Sequence, residues 1–207
     1  MFCKRLRMAR PCGIESILVM KFTFLLINSE IAALLLWTLL HLLAFTSRVR
    51  YKPYRRGGQE LLDKLLTKRT VQIVNGNDLN WSDAIKLSAQ PLVNNGSVKE
   101  TYVQAMLDTV IEKGPYFNIG SRIVLAHSRP EAGVNKISLS LLKTDQAVNL
   151  VNPDHPVNLW FVLAATDNQT HLSVIQGLME LLMNEQKVQA MCNATKVEQL
   201  LEIIGTK

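Results

Sequence analysis

The chain has 207 residues, enough for one domain of ordinary size with some chain left over, since domains most often run to roughly 100–150 residues. Its net charge of +6 invites a search for nucleic acid or anionic lipid, yet 10 of the 23 Lys and Arg lie in residues 1–60 against 3 acidic residues, leaving 13 against 14 in residues 61–207. The near-neutral remainder excludes a nucleic-acid binder built on a basic face, and three cysteines without a CxxC pair (Cys3, Cys12, Cys192) exclude a disulfide framework or a zinc ribbon.

In chain order, residues 14–47 are mostly apolar and 31–45 (IAALLLWTLLHLLAF) carry no charge, though Lys21 and Glu30 interrupt the earlier half. Fifteen residues fall short of the ~20 a membrane span needs. If residues 22–45 crossed a bilayer with Glu30 tolerated, the flanking RVRYKPYRR would hold the rest of the chain on the cytoplasmic side of the inner membrane. A cleaved signal peptide fits worse, because no small-x-small site precedes a secreted-looking domain. A further reading is preferred: RRGGQE (55–60) is what a purine-rich ribosome-binding sequence gives when translated, and Leu61 or Leu62 would then be a misread start codon. Residues 1–60 are thus expected to be a doubtful apolar and basic extension, residues 61–207 the domain, and the location cytoplasmic.

From Leu61 the pattern alternates between helix and strand. Residues 70–74 (TVQIV) form a β-branched strand, and 81–93 a helix that Pro91 kinks or stops early, ended by Asn94-Asn95-Gly96. Ser97 and Glu100 have capping-box spacing, with Val103, Met106, Leu107 and Val110 on one apolar face, and Gly114-Pro115 stops that helix. Residues 122–126 and 136–142 read as strands, and 157–165 (VNLWFVLAA) as a central strand, being apolar on both faces. Residues 170–183 form a helix with Leu172, Ile175, Met179 and Leu182 aligned. A second capping box, Thr195 and Glu198, opens a last helix with Val197, Leu200, Leu201 and Ile204 on its face and Gly205 beyond its end. The class is α/β, a mixed β-sheet flanked by helices. Cys192, in QAMCNAT, reads as a small buried apolar residue.

Of the four histidines, His41 sits in the doubtful segment and His155, between Asp154 and Pro156, reads as a solvated loop residue. His127 and His171 each follow an apolar strand, RIVLAH and LWFVLAATDNQTH, and sites in open α/β sheets form outside the carboxyl ends of strands. With Thr170 as N-cap, His171 would stand in the first turn of a helix, where the dipole attracts phosphate and disfavours an imidazolium. A neutral imidazole can attack phosphorus, and Arg129, two residues past His127, offers a guanidinium that matches phosphate geometry. On spacing alone a structural role prevails, since a lone histidine at a strand end is more often a hydrogen-bonder than a catalyst.

The segment GPYFNIGSRIVLAHSRPEAGV, 114–134, resembles the phosphorylation-site segment of enzyme IIA components of bacterial sugar phosphotransferase systems, in the ascorbate-type branch of the mannitol/fructose class. The resemblance continues through ISLSLLK and PVNLWFVLAATDNQTHLSVIQGLMELL into the last helix, covering residues 61–207. It implies a domain that takes a phosphoryl group from phospho-HPr on His127 and passes it to a cysteine of a cognate enzyme IIB. His171 matches the family's second histidine, which assists without being phosphorylated, and no cofactor or metal is called for. Mannitol-type members carry an arginine where this chain has VIEKGPY; Arg129, in the HxRPE pattern, then takes its role of steadying the phosphoryl group, and ascorbate or a related sugar becomes the expected cargo. The sugar itself is chosen by a membrane IIC protein that the IIA component meets only indirectly. Competing readings are a phosphorylation-dependent regulatory module without a transport role, a metal hydrolase using His127, His155 and His171, and a membrane-anchored interaction module. The hydrolase lacks HExxH or any tight ligand pair.

Overall fold

A strand that is apolar on both faces must be covered on both, and β5 (Pro156–Ala164) sets the architecture accordingly: every residue from Val157 to Ala164 is buried. The computed structural model describes residues 55–205, with side chains from residue 58 onward; residues 22–45, Cys3, Cys12 and His41 lie outside the described residues. The other elements are α1 (Arg55–Leu65), β1 (Val71–Val74), α2 (Trp81–Asn94), α3 (Glu100–Lys113), β2 (Asn118–Gly120), β3 (Arg122–Ala126), a 3-10 turn (Pro130–Ala132), β4 (Ser138–Asn149), α4 (Asn168–Leu182), α5 (Glu185–Asn193) and α6 (Val197–Ile204). The strands form a mixed five-stranded sheet in the order β1-β4-β5-β3-β2. β1 runs parallel to β4 and β3 parallel to β5, whereas β4 with β5 and β2 with β3 are antiparallel.

Alternation along the strands sends Val124, Trp160 and Val162 to a core shared with α2 and α3. The intervening Ile123, Leu159 and Phe161 go to a second core shared with α1, α4, α5 and α6. The sheet is therefore the middle of three layers, as expected for a mixed sheet flanked by helices. Among the described residues no helix is long and apolar enough to cross a membrane.

Three local expectations are corrected. Pro91 does not stop α2, which runs on to Asn94. A proline leaves the carbonyl four residues back without its donor; here that carbonyl, of Leu87, accepts instead from the Gln72 side chain of β1 at 3.0 Å. Ser97 does not cap α3: its hydroxyl turns to Asn95, and the helix starts at Glu100 after Lys99, whose N–H donates to the Gly133 carbonyl at 2.8 Å. At α6 it is Gln199, in place of Glu198, that reaches back, accepting from the N–H groups of Thr195 and Lys196 at 3.0 and 3.2 Å. Glu198 pairs with Lys68 instead.

On α4 the buried stripe is Val174, Gly177, Leu178 and Leu181, and Leu172 is 56% exposed. The stripe is rotated because a glycine adds nothing to a hydrophobic count yet lies at the contact with α1. A Cβ on Gly177 would stand 2.7 Å from the Gly58 carbonyl oxygen and 3.0 Å from its Cα, and one on Gly58 would stand 2.9 Å from the Gly177 Cα. Backbone cannot swing aside as a side chain can. Gly177→Ala should therefore destabilise the domain despite alanine's advantage of ~1 kcal/mol in helix propensity, since overpacking costs about 1–3 kcal/mol. A melting temperature lower by about 2–8 °C is expected; an unchanged or raised value would show that the two helices do not meet there. α1 begins at Arg55, so the stretch just ahead of Leu61 shares its helix, and Gln59 donates to the Ile204 carbonyl at 2.9 Å.

Candidate active site

β3 and β5 are adjacent and parallel, with Ala126 opposite Val162, so both deliver their carboxyl ends to one edge of the domain. His127 is the first residue past β3, and β5 leads through residues 165–167 into α4, which carries His171. The two imidazoles stand with centroids 5.6 Å apart at 47°. Phe117, buried just ahead of β2, backs the His127 ring at 5.3 Å.

His127 Nδ1 lies 2.9 Å from the Leu125 carbonyl oxygen. A carbonyl can only accept, so in the neutral ring Nδ1 carries the proton and Nε2 keeps the lone pair. Next in the chain, the Ser128 N–H donates to the Tyr102 hydroxyl at 2.9 Å. Arg129 is extended and exposed, and among the described residues its guanidinium forms no ion pair. The 3-10 turn then folds onto the start of α3, where Thr101 Oγ1 donates to the Ala132 carbonyl at 2.6 Å. Gly133 holds φ at 133°, and a Cβ there would lie 2.7 Å from Thr101 Oγ1, so this corner requires glycine on both counts.

Asp167, rather than Thr170, caps α4. Its carboxylate accepts from the Thr170 N–H at 2.8 Å and from the Thr170 hydroxyl at 2.6 Å. His171 accordingly sits three positions deeper than a Thr170 cap would give, its own N–H bonded to the Asp167 carbonyl at 3.1 Å. Partial burial, and then the neighbouring His127, hold its imidazole below the ordinary value, which favours the neutral ring. Because the unfolded chain binds that proton more readily, this site contributes stability that is fully present above about 6.5, the unfolded value, and is lost as pH falls from there through the lowered folded value. An NMR titration should find His171 protonating below that value; a midpoint above it would contradict the packing.

His127, Arg129 and His171 thus meet at one cleft of about 830 Å³, which Tyr102, Lys113 and Asp167 also line. His155 does not join them. It precedes β5 at the sheet's opposite end, half-buried with Nδ1 3.2 Å from Asn118 Nδ2, so the three histidines cannot share a metal ion. Cys192 is buried as expected, and burial pushes its thiol up. Sequence reasoning missed Tyr102, Phe117 and Asp167. The DNQTH segment held the signal for Asp167, an aspartate three residues before a threonine; the other two look like any apolar core residues.

A three-layer domain with two histidines at neighbouring strand ends defines a class, and the comparisons supply its membership. The family model "Phosphoenolpyruvate-dependent sugar phosphotransferase system, EIIA 2" matches residues 64–207, and the chain belongs to that family, whose members are phosphotransferase components. It is 34% identical over 126 residues to the mannitol-specific cryptic phosphotransferase enzyme IIA component of Escherichia coli K12, covering 61% of this chain and 86% of that one. It is 30% identical over 147 residues to an ascorbate-specific EIIA component of Shigella dysenteriae, covering 70% and 95%. The solution structure of the E. coli cryptic mannitol IIA matches with a TM-score of 0.64 at 30% identity over 69% of this chain and 97% of that one. E. coli mannitol IIA, solved in complex with phosphorylated enzyme IIB, matches with 0.59 at 25% identity over 68% and 99%.

Proposed function

We propose that this IIA component carries a phosphoryl group on His127 Nε2, received from phospho-HPr and handed to a cysteine of a cognate enzyme IIB. The observation that carries the proposal is the Nδ1 bond to the Leu125 carbonyl, which leaves Nε2 as the free lone pair on a ring lining the cleft. On arrival the Nε2 lone pair forms a bond to phosphorus as the bond to the donor's imidazole nitrogen breaks. On departure a thiolate displaces the group, and His127 returns to its neutral state. Both steps need placement and charge stabilisation more than covalent help. Arg129, exposed and without an ion pair among the described residues, is free to fork onto the phosphoryl oxygens, and His171 stands close enough to share them. An enzyme IIB partner is in keeping with the E. coli mannitol complex, and Arg129 in HSRPEAGV, with no arginine in VIEKGPY, favours ascorbate or a related sugar as cargo. Residues 61–207 contain every side chain the relay invokes, and a cytoplasmic location suits both partners.

Incubation of the full chain with phosphoenolpyruvate, enzyme I and HPr should add one phosphate that is acid-labile and base-stable, mapped by mass spectrometry to His127. A phosphate mapped to another residue would overturn the proposal.

A further inference from the structure

This inference rests on the reading of His127 as phosphoacceptor and concerns what holds that residue in place. Tyr102, in the first turn of α3, is 1% exposed. Its hydroxyl accepts the Ser128 N–H at 2.9 Å and donates to the Leu163 carbonyl at 2.6 Å. A second oxygen, of Ser128, is 3.3 Å away, and the single phenolic proton goes to the nearer acceptor. Ser128 adjoins His127, and Leu163 is the next-to-last residue of β5, just ahead of the residues that lead to the Asp167 cap and His171. One hydroxyl on a helix outside the sheet therefore joins the two strand ends from which the histidines hang.

We propose that Tyr102 is a positioning residue of the phosphoryl relay, its hydroxyl fixing the 127–129 turn against β5 so that His127 and His171 meet the transferred group together. Packing alone does not call for the oxygen, because phenylalanine would fill the same space in the α3 core. Burial pushes the phenol up to about 12, so it remains a donor across the range in which a carrier works. Without the hydroxyl, the Ser128 N–H and the Leu163 carbonyl lose their shared partner, and the turn gains freedom at the residue next to the nucleophile.

The test is Tyr102→Phe in the full chain, read by single-turnover transfer from phospho-HPr. The rate constant should fall roughly 10- to 100-fold, as expected of a reacting group displaced by a fraction of an ångström to an ångström, while the apparent KM for phospho-HPr stays within about twofold. Ser88→Ala is the control: it removes another buried hydroxyl, which donates to the Trp160 carbonyl at 2.7 Å in the middle of the same core. It should lower the melting temperature without slowing transfer. Wild-type rates in Tyr102→Phe, or equal slowing in Ser88→Ala, would overturn the proposal. Amide hydrogen exchange of the wild-type chain tests the clamp directly, even if Tyr102→Phe fails to fold: the Ser128 N–H should exchange far more slowly than that of Arg129. Exchange as fast as an open loop would refute the clamp. If the wild-type chain takes no phosphate at all, the reading of His127 fails, and the exchange result still decides whether Tyr102 holds the turn.

Discussion

His127→Ala is expected to abolish phosphorylation while leaving the fold in place. The ring is the only one at the cleft whose Nδ1 is bonded to a backbone carbonyl among the described hydrogen bonds, so no other side chain presents the same directed lone pair. His171 cannot substitute, since it projects from a helix and lacks a carbonyl partner that would fix its tautomer among those bonds. The structural loss is small: the ring is half-buried, makes one hydrogen bond and touches Phe117 and His171. A net contribution of about 0.5–1.5 kcal/mol for such a bond predicts a melting temperature lower by only a few degrees. Labelling that persists in a folded His127→Ala protein would move the acceptor elsewhere.

The second large effect concerns the two stabilisers. His171→Ala and Arg129→Ala should each slow transfer about 10²- to 10³-fold, the usual consequence of removing one donor to transition-state charge, worth about 2.7–4 kcal/mol. The slowing should appear in both directions with one donor, because arrival and return pass through the same transition state. Arg129→Lys separates charge from shape: an ammonium keeps the charge but loses the planar fork, so partial recovery is expected. Stability should barely change for Arg129→Ala, an exposed residue, with a difference of about 0.5 kcal/mol or less. Wild-type rates for both alanine variants, measured from phospho-HPr and to the acceptor, would show that neither side chain meets the phosphoryl group.

Much of this architecture was legible because its strongest signals are periodic. RIVLA reads as a strand and VNLWFVLAA, apolar on both faces, as a buried central one, and they carry the histidines to one edge. What escaped was decided by contacts distant in sequence. Pro91 reads as a helix stop until Gln72 reaches its orphan carbonyl, and Ser97 reads as a cap until the 129–134 turn occupies that helix end. β4 reads as a strand only to Leu142, yet it runs on to Asn149, with Lys143 buried and aligned between Ile73 of β1 and Leu159 of β5. At the site, the histidines and Arg129 carry recognisable chemistry in their residue types. Tyr102 does not, because its importance lies in what its oxygen touches 26 and 61 residues further along the chain.

The charges around the cleft bear on how a carrier must behave. Its lining includes two cations, Lys113 and Arg129, and two carboxylates, Glu131 and Asp167, with Lys113 held 5.0 Å above the Tyr116 ring. An anion trap would show an excess of positive charge, and this lining is balanced. A phosphoryl group on His127 would therefore sit among charges of both signs, with no net positive excess to hold it. Tight holding would serve storage and defeat passage, since interactions shared equally by the resting and the moving group do not speed its departure. A balanced lining suits a group that must leave again toward whichever partner is docked.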